Sequence, residues 1–217
     1  MLVINTAFMT ANLALKTNDG QAVLKDIEAK SKHSESVLKT IDQMCQETNI
    51  NVLEVGTVAV VVGPGSFTGL RIGTAVAKAL GCANRDLKFV ALSSLELMAY
   101  IVYKKHLAQD NFVCTLNALS DLFFVAYFDK NGIKLDSEKM IDKETFEKID
   151  LPLFSLKGDL NNPKCQEIEI DCEDLLEFAL LKEEKKEFVS ESELLPVYLR
   201  LSQAEDNLIK MQKKIDN

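Results

Sequence analysis

TVAVVVGPGSFTGLRIGTAVAKALGC, residues 57–82, is the stretch on which the reading of the whole chain turns. Residues 57–62 are a continuous run of β-branched and small apolar side chains, the pattern of a strand buried on both faces. Gly63-Pro64-Gly65 ends the run. Proline donates nothing to a ladder, and the flanking glycines reach backbone angles closed to other residues. From Ser66 the apolar period becomes helical, and a helix from there to Cys82 spans about 24 Å. Ser66 stands at the N-cap, where its hydroxyl can accept from a free amide of the first turn. A buried strand feeding a helix through a tight turn permits an α/β fold.

Gly69, Gly73, Ala77 and Gly81 recur every four residues and fall on one face of that helix. An interior glycine costs a helix about 1 kcal/mol against alanine, so this face must let something come close. Two readings stand side by side: tight packing on the protein's own sheet or a neighbouring helix, and a docking face for another protein. Arg71 and Lys78 mark a helix that meets water, not one that pairs inside a membrane. The loop itself is neither of two familiar phosphate loops. A Walker motif needs lysine followed by Ser or Thr where Leu70-Arg71 follow Gly69, and the glycine spacing is GxGxxxG, not GxGxxG. The amides at the helix start could hold an anion, with Arg71 as a helper, as a minor reading.

The chain has 217 residues, enough for one large domain or two small ones. With 47% apolar and 27% charged residues it is of ordinary globular composition. A net charge of −8 argues against a grip on nucleic acid by this chain alone, because phosphate binding needs clustered lysine and arginine. The five cysteines (Cys45, Cys82, Cys114, Cys165, Cys172) are scattered without a CxxC, which fits reduced thiols better than disulfides or zinc. No apolar run nears the ~20 residues that span a bilayer, and MLVINTAF reads as a strand and not a signal peptide. The expected location is cytoplasmic, with no membrane contact.

Outward from the central stretch, 1–6, 11–16 and 21–27 read as strands, with the turn Asn18-Asp19-Gly20 between the last two. A helix over 33–48 carries Val37, Leu38, Ile41, Met44 and Cys45 on one stripe. A strand at 88–92 precedes a helix over 93–105. Two further strands, 112–116 and 122–128, are followed by the turn Asn131-Gly132. Charges dominate 134–190, where KEEKKE (182–187) reads as a solvated helix end or loop. Residues 204–215 read as a short final helix with Leu208, Met211 and Ile215 on one side.

GPGSFTGLRIG (63–73) resembles the signature of the TsaB (YeaZ) family, partner proteins in threonylcarbamoyladenosine modification of tRNA. Shorter matches agree with it: Asn5-Thr6-Ala7, His33-Ser34-Glu35, Leu92-Ser93-Ser94-Leu95, Asn117-Ala118, Gly158-Asp159 and the closing Pro196-Val197-Tyr198-Leu199-Arg200. The resemblance implies two ribonuclease-H-like halves of the actin and sugar-kinase (ASKHA) kind, each a mixed sheet with flanking helices, the second reduced. It implies an N-terminal domain over 1–107, a smaller one over 108–195, and a segment 196–217 packing back on the first. It also implies a non-catalytic subunit, without cofactor or metal, that docks a TsaD-like catalytic paralogue through the helices near 33–48 and 66–82. The expected interface is His33, Val37, Leu38, Ile41, Gly69, Arg71, Gly73 and Ala77, beside a signature loop of Gly63, Pro64, Gly65, Ser66, Phe67 and Thr68. A homodimer through the same surface when the partner is absent, an ATPase of the TsaE type, and tRNA contacted only through the complex complete that expectation.

Three departures bear on it. Asn5 stands where the family usually has aspartate, Leu119 where it has arginine, and Leu160 where it has glycine. The histidines, His33 and His106, form no metal-spaced pair, and no Ser/Cys nucleophile or acidic partner is spaced near His33 for catalysis. The competing reading is an ATP-dependent small-molecule kinase of the sugar-kinase superfamily, against which Asn5 and the failed loop motifs count. A third is a stand-alone interaction module.

Overall fold

The computed structural model describes residues 1–27 and 33–199. Arg200 and the final helix expected over 204–215 lie outside the described residues.

The first half is the mixed sheet that the family resemblance implies. Strands β1 (Leu2–Asn5), β2 (Ala11–Lys16) and β3 (Ala22–Ile27) form an antiparallel meander. The helix α1 (His33–Thr48) leads to β4 (Thr57–Gly63), which lies parallel to β1. The helix α2 (Phe67–Ala83) then leads to β5 (Lys88–Ser93), parallel to β4. The order is β3-β2-β1-β4-β5. Every residue of β4 is buried, because this interior strand has helices on both faces.

The second half repeats the plan. Strands β6 (Phe112–Asn117), β7 (Leu122–Phe128) and β8 (Lys139–Asp142) form a meander, and β9 (Leu153–Leu156) and β10 (Cys165–Ile168) join in parallel, in the order β10-β9-β6-β7-β8. The reduction lies in the helices. Only the short α4 (Lys143–Glu147) separates β8 from β9, and no helix separates β9 from β10.

Two helices fill the space between the sheets: α3 (Ser94–Lys104), capped by the Ser93 hydroxyl, and α5 (Cys172–Glu184), capped by Asp171. Leu95, Leu97, Met98, Ala99, Ile101 and Val102 are all buried, so α3 is apolar nearly all round, as a helix between two layers must be. One core joins Val3, Ala59 and Val61 of the first sheet, α3 and α5, and Phe112, Cys114 and Leu116 of the second. On the outer face of the first sheet, Leu2, Ile4, Val58 and Val60 meet α1 and α2 in a separate core. Strand alternation thus sorts odd and even residues to the two faces. Helix α5 packs on β1, β2, β3 and β5, so residues 172–184, within the segment that the sequence assigns to the second half, already lie on the first sheet.

The run 182–187 is not wholly solvated. Lys182 is only 17% exposed and bridges Glu96 at 2.9 Å and Glu187 at 2.7 Å.

Candidate functional site

The site grows from the turn after β4. Gly63 has φ +127°, a backbone open to glycine alone in practice, and the Gly63–Pro64 peptide is cis. Ser66 caps α2, its hydroxyl accepting from the Gly69 amide at 3.3 Å. Its own amide donates to the Ala7 carbonyl at 2.8 Å. The Thr6 hydroxyl donates to the Gly69 carbonyl at 2.7 Å. A Cβ on Gly65 would stand 2.7 Å from the Ala7 oxygen, and one on Gly69 only 1.8 Å from the Thr6 oxygen. The start of α2 therefore lies directly on the β1–β2 turn. Thr6 and Ala7 fill the place next to these amides that an anion would need.

Asn5 is fully buried and closes that turn. Its Oδ1 accepts from the Ala7 amide at 3.1 Å and its Nδ2 donates to Asn12 at 2.8 Å. This is the turn-capping role that an uncharged side chain can fill at this position. The chain of amides continues to Asp26, which also accepts from the Cys172 thiol at 2.9 Å. Burial and the Asp26 carboxylate push that thiol up to about 12, so it stays protonated.

The small-residue face of α2 resolves between its two readings. A Cβ on Gly73 would meet the Thr6 hydroxyl at 2.7 Å and Val60 at 3.1 Å, and Ala77 is fully buried in the core with Ile4 and Val60. This face is packed on the protein's own sheet. Val37 and Ile41 point into the same core from α1. Of the residues expected at a partner interface, Gly69, Gly73, Ala77, Val37 and Ile41 are thus buried within the fold, whereas Leu38 is 58% exposed and Arg71 is exposed. His33 opens α1, and its side chain lies outside what the structure describes.

What the helices present outward is a groove of ≈ 600 Å³ between them, lined by Leu38, Ile41 and Cys45 of α1 and Val76, Ala79 and Leu80 of α2. Asp42 is the charged residue among its lining, with Gln46, Asn49 and Asn51. An apolar floor with a polar rim is the make-up of a protein-binding surface. Sequence reasoning did not single out Val76, Ala79 and Leu80, although their three- and four-residue spacing on the flank of the glycine stripe is visible in the sequence.

It also missed the partner of the signature loop. The Phe67 ring stacks on Tyr198 with centroids 4.3 Å apart, the Arg71 guanidinium lies 4.1 Å from the Phe67 centroid, and Arg71 Nε donates to the Tyr198 hydroxyl at 2.9 Å. The Val197 amide donates to the Val62 carbonyl at 2.8 Å. Two motifs more than a hundred residues apart in sequence are therefore one structural unit. Thr68 beside them is exposed and Pro64 is buried.

Among the described residues, no three His, Cys, Asp or Glu side chains stand together as a metal site. Nor is any helix among them long and apolar enough to cross a membrane. A second concavity of ≈ 590 Å³ lies beside the β6–β7 turn, with exposed Leu119 on its wall. Its charges pair among themselves, Lys164 with Glu147 at 2.9 Å and Lys143 with Asp121 at 3.8 Å. An ion cluster joins α3 to α5, where buried Asp174 takes Lys104 and Lys105, each at 2.8 Å. Burial alone would raise the Asp174 carboxyl, and the two ammonium groups outweigh it and hold it below the ordinary range.

Residues 25–153 match the family model described as TsaD, tRNA N6-adenosine threonylcarbamoyltransferase. The chain is 27% identical over 125 residues to the tRNA threonylcarbamoyladenosine biosynthesis protein TsaB of Haemophilus influenzae, covering 57% of this chain and 52% of that protein. It is 24% identical over 193 residues to TsaB of Buchnera aphidicola from Acyrthosiphon pisum, covering 87% and 82%. It thus spans about half the length of the first relative and most of the second. The solved structure of YeaZ from Pseudomonas aeruginosa superimposes with a TM-score of 0.73 at 23% identity, covering 91% of this chain and 98% of that one. This fold is the two-half architecture described above.

Proposed function

The chain belongs to the TsaD-like family, in its TsaB (YeaZ) branch, and from that membership we propose that it is a non-catalytic subunit in threonylcarbamoyladenosine modification of tRNA. Its task in this reading is to bind and support a TsaD-like catalytic paralogue in the cytoplasm. It meets tRNA only through the complex, and an ATPase of the TsaE type joins as a further partner. The observation that carries the reading is the exposed apolar groove between α1 and α2, with Leu38 standing out of it. Two helices flanking an open apolar channel fit two helices of a related partner. A second copy of this chain fits the same way when the partner is missing.

The docking surface in this proposal is the outward face of α1 and α2: Leu38, Ala79 and Leu80, with buried Val76 flooring the groove and Arg71 exposed on the same helix. The glycine face contributes indirectly, by seating α2 close on β4 so that the groove has a rigid wall. The packing of Thr6 and Ala7 against α2 and the uncharged Asn5 turn speak for binding over phosphoryl transfer.

The test is light scattering after size exclusion, with the chain alone and mixed with the TsaD-like protein of the same organism. A one-to-one complex that is lost with Leu38→Glu, while the variant melts like the parent, is the expected result. No complex at tens of micromolar, or a complex indifferent to Leu38→Glu, would remove the groove from the account.

A further inference from the structure

Helix α2 is seated on its sheet by a face that is nearly bare of side chains. A Cβ on Gly69 would stand 1.8 Å from the Thr6 oxygen, and one on Gly81 2.4 Å from the Phe89 ring. Glycine lets the helix come close. It supplies no ridge to lock into a groove of the opposing surface, so it leaves the sideways position of the helix loosely set.

That position is held from the flank. Residues 189–198 cross the edge of the first sheet and return along α2. The Val189 amide donates to the Phe89 carbonyl of β5 at 3.0 Å, and the Val197 amide to the Val62 carbonyl of β4 at 2.8 Å. Between them the Leu194 amide donates to the Ser190 carbonyl at 3.1 Å, closing a turn. The Cys82 thiol, in the last turn of α2, lies 3.9 Å from the Glu191 carboxylate, and Phe67, in the first, stacks on Tyr198. Phe67, Arg71 and Cys82 share one flank of the helix, whereas Val76, Ala79 and Leu80, which line the groove, lie on the other. Residues 189–198 therefore bear on the side of α2 that faces away from α1.

One side chain of this segment is buried. Leu194 stands between exposed Glu193 and Leu195, yet it is 0% exposed and joins the core that Val76 and Ala77 of α2 share with Val62 and Phe89. We propose that Leu194 is a positioning residue of the docking surface: it wedges α2 from the β5 side and so sets how far α2 stands from α1 across the groove. The consequence for partner binding rests on the reading given above; the placement of α2 does not.

The experiment first reads the free chain. Nitroxides on Gln43→Cys of α1 and Ala75→Cys of α2, in a Cys82→Ser, Cys165→Ser background, report the helix separation by pulsed dipolar spectroscopy. Both labelled positions are exposed and outside the groove lining. Leu194→Ala is expected to shift or broaden that distance by about 2 Å, the span of interaxial distances that side chains impose on packed helices. Leu194→Met conserves volume and keeps the parent distance. So does Leu153→Ala, which opens a like cavity in the second half, where Leu153 is buried. Leu194→Val, with its smaller cavity, takes the place of alanine if that variant does not fold. Identical distances in all forms overturn the proposal. On the unlabelled chains, affinity for the TsaD-like protein of the same organism falls by about tenfold with Leu194→Ala and with neither control. A shifted distance with unchanged affinity also overturns the proposal, because the placement of α2 is then irrelevant to docking. A shifted distance with no binding by any form, the parent included, removes the partner reading and leaves the placement of α2 by Leu194 standing. Binding by the parent with unmoved helices does the reverse.

Discussion

In the first half of the molecule, β3 and β4 are joined by the sixteen-residue α1, and β4 and β5 by the seventeen-residue α2. In the second half, with the same strand order, the first of these steps is made by the five-residue α4 and the second by a helix-free loop. Even the turn after the first strand is repeated. The Asn5 carboxamide oxygen accepts from the amide two residues on, and Asn117 does the same with Leu119 at 2.8 Å. What differs is how the outer face of each sheet is covered. The second sheet is closed by its own small parts, with Phe146 stacked on Phe123 at 4.1 Å and Leu160 beside them. The first sheet is closed by two long helices, which then present a second, outward apolar surface of their own. A sheet needs cover on both faces to bury its apolar residues, but only long helices can both give that cover and offer a groove beyond it. The comparison favours the first half as the place of the proposed docking surface.

The largest effect that would break this contrast is at the helix–sheet contact. Gly69→Leu is expected to cost more than about 3 kcal/mol, because its Cβ would overlap the Thr6 carbonyl before the rest of the side chain is placed. Unfolding in urea should show a collapse of the midpoint, and an unchanged midpoint would mean that α2 does not sit on β1 as described. In the second half, Gly158→Ala meets open space at φ +72°, so only about 1 kcal/mol of backbone strain is expected.

The ion cluster between α3 and α5 comes next. Asp174→Ala is expected to cost about 2 kcal/mol, less than a fully buried pair because Lys104 and Lys105 are themselves partly exposed. The Asp174 carboxyl is held below its ordinary value of 3.8 in the folded state. Its contribution is therefore present above about pH 4 and is lost as the pH falls through the lower folded value. Urea midpoints from pH 7 to pH 3 should fall more steeply for the parent than for Asp174→Asn, and parallel curves would remove Asp174 from the acid response.

Leu38→Glu tests the outer surface and should leave the melting temperature within about 2 °C while weakening partner binding by about a hundredfold. Leu119→Glu, an equally exposed leucine in the second half, should change neither quantity. If the two leucines behave alike in the binding measurement, the asymmetry between the halves has no functional meaning. The smallest effect concerns Tyr198: Tyr198→Phe keeps the stack on Phe67 and loses the bond to Arg71, at a cost of about 0.5 kcal/mol.

The chain's local chemistry determined a good deal by itself. The strand at 57–62, the Ser66 cap, the helix that follows and the N-terminal meander are legible because apolar period and turn residues act over a few positions. The region 134–190 was not legible. The exposed edge strand β10 carries polar residues, and α5 hides its apolar stripe among charges such as Lys182, whose partner Glu96 is remote in sequence. The exposure of the residues proposed for docking is half legible. Leu38 and Arg71 could be named from the sequence, but it could not say which face of α2 looks outward. A stripe of small residues reports only that some surface comes close; whether that surface is the chain's own Thr6 and Val60 or another protein depends on contacts between distant segments. The same holds for Tyr198, whose place on Phe67 and Arg71 exists only because the end of the chain returns to the first sheet. Spacing fixes local conformation, and tertiary packing alone decides what each face meets, because burial is a property of the assembled layers.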